Sequence, residues 1–175
     1  MAAACLWGTL LAAAPKALWL DVPFVRQAPE GCGAASIAMV MQYWAAQQGR
    51  TAGAEADDAQ VMRALHSADA HGIYASAMER YFSEHGFRAF SFSGRWEDLG
   101  EHIAKGRPLI VGLQPLQGSK ALHYVVIAGI DEAGLVMFND PAGRKLAKLD
   151  RKTFEKEWKA TSKWTLLAVP ESGAR

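Results

Sequence analysis

Cys32 is the residue best placed to do chemistry in this chain. It stands between two glycines, in GCGAASIAMVMQYW, where Ile37, Met41 and Ala45, with Val40 and Trp44 beside them, recur at helical spacing. A helix N-terminus carries roughly half a positive charge and unpaired N–H groups, which stabilise a thiolate and lower a cysteine's pKa. Gly31 and Gly33 leave the sulfur uncrowded and would let a substrate backbone come close. Gln27 precedes Cys32 by five residues, and its amide could donate to an oxyanion forming beside the sulfur. A lone cysteine is more often a small buried hydrophobe than a nucleophile. A reactive one needs a base.

His123 and Asp140 can supply that base and its support. His123 opens the apolar run HYVVIAGI, and Asp140 closes the next one, LVMFNDP. The intervening DEAG reads as a hairpin connection, which places Ile130 opposite Leu135 and Val125 opposite Asp140. Side chains alternate along a strand, so His123 and Asp140 then share a face as diagonal neighbours, with Cα atoms roughly 7–8 Å apart. An odd-length loop would separate them. A carboxylate beside a histidine fixes its tautomer and turns the other ring nitrogen toward a thiol. Asn-Asp-Pro-Ala-Gly is also a strong turn sequence, so Asp140 is expected to serve the turn as well. Asn139 is a second candidate, but alternation points it to the opposite face. His66, His71, His85 and His102 form no His-x-x-x-His pair and join no cysteine pair, so no zinc site is expected, and no cofactor. Neither a nucleotide phosphate loop nor a G-x-S-x-G elbow occurs.

These residues need elements to hold them. Periodicity and turn signals predict helices over 32–47, 57–67, 74–85, 96–105 and 151–159. Strand patterns fall at 87–93, 108–113, 123–130, 135–139, 145–149 and 164–169, with an extended or edge segment at 18–25 that carries Pro23. Helices come first and an antiparallel sheet last, which argues an α+β fold. Length and composition agree with one domain: 175 residues, half hydrophobic and 21% charged, outside the ranges of disordered or coiled-coil chains. A net charge of +1 predicts no nucleic-acid partner. The stretch 144–163 holds eight basic and three acidic residues, read as a solvated face or as a surface for an acidic peptide or membrane.

Residues 3–14, AACLWGTLLAAA, carry no charge. The run is too short to span a bilayer and matches the apolar region of a secretory signal. No Lys or Arg precedes it, and Pro15 crowds the expected cleavage positions. The reading is residues 1–17 as a signal or short hydrophobic segment, 18–170 as the domain and 171–175 as a tail. Export to the periplasm or cell envelope follows, or a cytoplasmic place if the segment is not a signal. Removal of the segment would take Cys5 and leave Cys32 as the one thiol.

Three ordered blocks, VPFVRQAPEGCGAASIAMVMQYW, ALHYVVIAGID and VMFNDPAG, together resemble the bacteriocin-processing family of papain-like cysteine peptidases and its stand-alone relatives. The resemblance runs from about Leu18 to Leu149, while 50–107 match in helical character alone. It implies a helical half packed on an antiparallel sheet, with Cys32 as nucleophile, His123 as general base, Asp140 as its orienting acid and Gln27 at the oxyanion. It also implies a peptide or leader substrate, often cut after Gly-Gly, and association with a separate export system. Gln27 stands five residues before Cys32 where many papain-like enzymes have six, and Ala34 replaces a common Pro. The same triad could instead serve acyl transfer to an amine. An amidase reaction on the same triad is a further alternative, as is a non-cleaving peptide-binding domain of this fold, although proteins that grip leaders without cutting them usually lack the cysteine.

Overall fold

The computed structural model describes residues 17–116, 118 and 121–171. The apolar run with Cys5, expected to direct export, lies outside the described residues, as does most of the expected tail.

α1 (Cys32–Gln47) is buried from Gly33 to Met41, because its apolar residues are not confined to one stripe. α2 (Asp58–Leu65) starts at Asp57, whose carboxylate accepts from the Gln60 N–H at 2.9 Å. α3 (Ala75–Glu84) turns Met78, Tyr81 and Phe82 inward. α4 (Trp96–Ala104) opens on reciprocal bonds between Arg95 and Asp98, and α5 (Arg151–Lys159) on the Asp150 carboxylate. Each lies within two residues of its expected place.

Among the described residues seven strands form one sheet. β2 (Phe87–Ser93), β7 (Trp164–Pro170), β3 (Leu109–Leu113), β4 (His123–Ile130), β5 (Val136–Asn139) and β6 (Ala147–Leu149) stand in that order, each antiparallel to its neighbours. β1 (Leu18–Trp19) pairs with Ile130 and Gly129 of β4. The extended segment expected to Val25 contributes just these two residues to the sheet. Beyond them the Val22 and Pro23 carbonyls accept from the buried Asn139 side-chain amide, at 3.1 and 3.2 Å, instead of from a neighbouring strand.

The β4–β5 hairpin corrects one expectation and keeps its consequence. Ile130 opposes Val136, not Leu135, so the loop runs from Asp131 to Leu135 and has an odd length. The Asp131 carboxylate holds it, accepting from the Ala133 and Leu135 N–H groups at 3.0 and 2.9 Å. Such a loop alone would send His123 and Asp140 to opposite faces. A bulge at Ala128, between the Ile127 and Gly129 pairings, adds one residue to β4 and restores Val126 opposite Asn139. His123 and Asp140 therefore share a face after all.

The sheet is covered on both sides. Ile37, Met39, Val40, Met78 and Phe82 pack on one face with Ile110, Val126 and Leu166. Leu99, Ile103, Phe154 and Trp158 pack on the other with Leu109, Val111, Val125 and Ile127. Alternation along β3 and β4 supplies both cores. Within the basic stretch, Lys145 pairs with Asp21 and Lys148 with Asp131, while Arg151 bonds Glu155 and lies over the Trp96 ring.

Candidate active site

Cys32 occupies the first position of α1, and no side chain caps that helix or places an acid in its first turn. The contrast with the Asp caps of α2 and α5 matters, because a carboxylate here would neutralise the helix's positive end. Its N–H groups stay available: that of Gly33 donates to the Cys32 sulfur, as does that of Tyr124 on β4. His123 makes a side-chain hydrogen bond to the same sulfur. The other end of the imidazole is tied down, with Nε2 donating to Asp140 Oδ1 at 2.7 Å. Nδ1 is thus the ring nitrogen that serves Cys32.

Asp140 belongs to the turn and to His123 at once. Its Oδ1 also accepts from the Ala142 N–H at 3.0 Å, and its backbone carbonyl accepts from the Gly143 N–H at 2.9 Å. A Cβ at Gly143 would lie 2.7 Å from Asp140 Oδ2, so a larger residue would push the carboxylate aside. Asn139 points the other way, as alternation requires, and is fully buried. It donates to the Val22 and Pro23 carbonyls and accepts from the Leu146 N–H at 3.0 Å. It fastens the segment leading to Gln27 against the turn that carries Asp140.

Gln27 hangs from that same turn through its backbone N–H, which donates to the Pro141 carbonyl at 3.0 Å. Its side-chain Oε1 is buried and has no hydrogen-bond partner among the described residues. An unpaired buried acceptor is costly, and the part of this amide able to meet an oxyanion is its other end, the Nε2 donor. Gln27, Cys32, His123 and Asp140 line one cleft of about 530 Å³, with Pro115, Leu122 and Ala142 on its walls. Gly31 and Gly33 are both buried, and their smallness answers to the chain itself. A Cβ at Gly31 would meet the Ala28 carbonyl oxygen at 2.9 Å, and one at Gly33 the Ile73 Cβ at 3.1 Å.

The electrostatics favour an ion pair. Burial works to raise the Cys32 thiol, but the His123 hydrogen bond, the Tyr124 N–H and the imidazolium charge outweigh it and hold the thiol below its ordinary value. Burial likewise works against a charged His123, yet Asp140 and Cys32 raise it to about 9. Asp140 resists the same penalty through His123 and the Ala142 and Gly143 N–H groups, and stays below the usual carboxylate range. The arrangement stabilises a thiolate, an imidazolium and a carboxylate in a row.

The sequence profile of the Peptidase C39 like family matches residues 19–166. The chain belongs to that family. No curated protein sequence matches it. Among solved structures it is similar to a C39-like peptidase from Bacillus anthracis, with a TM-score of 0.67 and 20% identity over 90% of this chain and 100% of that one. The peptidase domain of Streptococcus ComA, a bi-functional ABC transporter of a quorum-sensing pathway, gives 0.66 and 20% identity over 86% and 100%. A double-glycine motif protease from an AMS/PCAT transporter, solved with its leader peptide, gives 0.65 and 22% over 87% and 94%. Helices packed on an antiparallel sheet are common to all of them.

In this C39-like chain two histidines acquire a role that sequence reading missed. Glu30 accepts from His66 Nε2 at 2.8 Å and lies 3.2 Å from His71 Nδ1, and Glu30 and His71 line the same cleft as Cys32. No spacing signals this, because the contacts join segments 36 and 41 residues apart. The three groups are strung along one carboxylate, and among the described residues no three His, Cys, Asp or Glu side chains converge as a metal ion would need. His85 bonds the Tyr81 carbonyl and His102 stands on α4 beside Phe92, neither of them in the cleft.

Proposed function

We propose that this member of the family is a thiol peptidase that cuts an extended peptide through Cys32, His123 and Asp140. The observation that carries the reading is His123 held between the Cys32 sulfur and Asp140 at the mouth of an uncapped helix. The Cys32 thiolate attacks the scissile carbonyl and forms a carbon–sulfur bond. The oxyanion is met by the Cys32 N–H and the Gln27 amide. Collapse breaks the carbon–nitrogen bond, and the leaving amine takes the proton from His123 Nδ1. Neutral His123 then accepts a proton from water as it attacks the thioester. The acid is released, Cys32 leaves as thiolate, and the imidazolium is restored. Asp140 holds the ring throughout and keeps its charge. The solved neighbours that belong to transporters, one of them bound to a leader peptide, support a leader as the substrate and a separate export system as the partner.

A peptidyl vinyl sulfone ending in Gly-Gly tests the reading, because it traps an activated thiolate as a thioether. Intact mass is expected to show one adduct, mapped to Cys32, that forms rapidly near pH 6 and is lost in His123→Ala. A folded wild-type chain that forms no adduct, or forms it at the same rate without His123, would refute the peptidase and leave a peptide-gripping domain.

A further inference from the structure

Glu30 and His71 both hold left-handed backbone, at φ 58° and 46°, although neither is glycine. Such conformations cost free energy, persist when their surroundings enforce them, and gather at ligand sites. Here the two residues also meet through their side chains, 3.2 Å apart. Residues 67–72 close into a tight loop by paired backbone bonds, Ser67 N–H to Gly72 O at 2.8 Å and Gly72 N–H to Ser67 O at 3.3 Å. The loop brings His71 to Glu30 Oε1, while His66 on the near end of α2 holds Oε2. The Glu30 side chain remains 42% exposed, two residues before Cys32, on the wall of the cleft.

The charge count of that cleft is one-sided. The Cys32 thiolate and the His123 imidazolium cancel, which leaves the Glu30 and Asp140 carboxylates with His71 beside Glu30, and no Lys or Arg stands among the described lining residues. Asp140 is engaged by His123 and by the Ala142 N–H. Glu30 is different: an ionised carboxylate offers about four acceptor sites, and the two histidines occupy two of them. Orientation is therefore fixed while accepting capacity is left over, as a recognition site needs.

We propose that Glu30, held by His66 and His71, is a specificity determinant that receives a cationic side chain, Lys or Arg, of the peptide lying in the cleft. The proposal deepens the peptidase reading and rests on it for the presence of a peptide there. It is tested with the full chain carrying Cys32→Ala, to hold peptides uncut, and fluorescein-labelled peptides built on one Gly-Gly-containing sequence. Lys, Gln or Glu is placed in turn at each residue flanking the glycines. Polarisation at pH 8 reads binding, and the wild-type chain reads cleavage of the same set. At one position Lys is expected to bind about tenfold tighter than Gln, the scale of one charge-assisted hydrogen bond, with Glu weaker again. Glu30→Gln flattens the series and Glu30→Lys reverses it. A preference untouched by either substitution, no preference, or no binding overturns the assignment. A Glu30-dependent binding preference without any cleavage by the wild type upholds it and counts against the peptidase alone.

Discussion

Asp140→Asn removes one negative charge 2.7 Å from His123 Nε2 and keeps an oxygen to accept from the ring and from Ala142. The turn therefore survives while the charge is lost. His123 is raised from 6.5 to about 9 against the pull of burial, by Asp140 and Cys32 together. That rise is worth about 3 kcal/mol in favour of the imidazolium. One opposite charge in contact accounts for roughly 1–3 pKa units, so the variant's His123 should titrate at about 6–8. The sign follows from the raised value: a protonated His123 is present below its pKa and disappears as pH rises through it. In the wild type the thiolate–imidazolium pair should exist from the depressed thiol pKa up to about pH 9. In Asp140→Asn the upper edge should fall to about 6–8, and turnover should drop roughly 10²–10⁴-fold. Nitrogen NMR of ring-labelled His123, followed against pH with Cys32 alkylation by iodoacetamide alongside, reads both edges. An upper edge that stays near 9 in Asp140→Asn would refute the electrostatic account of this site, because the charge beside the ring is gone while an acceptor for it remains.

Gln27→Ala should lower kcat by about 10²–10³ with KM little changed. Its alkylation profile should match the wild type, since the amide is not among the groups that hold the Cys32 thiol down; an altered profile would assign Gln27 to the resting thiolate instead of the oxyanion. Asn139→Ala strands the Val22 and Pro23 carbonyls and the Leu146 N–H. It should cost about 3 kcal/mol and lower Tm by about 6–12 °C, and a calorimetric loss under about 1 kcal/mol would show that water replaces the amide. Gly33→Val forces a branched side chain against Ile73, whose Cβ lies 3.1 Å from where a Cβ would stand. It should cost about 1–3 kcal/mol by urea denaturation, while an unshifted midpoint would mean that the 67–74 loop yields freely.

Much of the machinery was legible in the chain because it is local. The start of α1 at Cys32, the bounds of β4 and the Asp140 turn depend on apolar periodicity and turn chemistry over a few residues, and all three stand where those signals put them. The family resemblance rested on the same short blocks, and the profile match and solved neighbours bear it out. Glu30 with His66 and His71, by contrast, left no mark in the sequence. A carboxylate and two imidazoles dozens of residues apart have no spacing rule until the 67–72 loop is closed beside α1.

The pairing of His123 with Asp140 shows where local reasoning stops. Strand alternation has a period of two, so one extra residue anywhere in the hairpin reverses every side chain beyond it. The odd loop introduces one such reversal and the bulge at Ala128 introduces the second. What stabilises the bulge is not in the hairpin. The Ala128 carbonyl accepts from the Leu20 N–H at 2.7 Å, and Gly129 has no Cβ where one would lie 2.6 Å from the Leu18 carbonyl oxygen. Types and rough positions of the candidate site residues are thus properties of the sequence. The face on which two of them meet depends on a bulge that packs against β1, more than a hundred residues away in the chain.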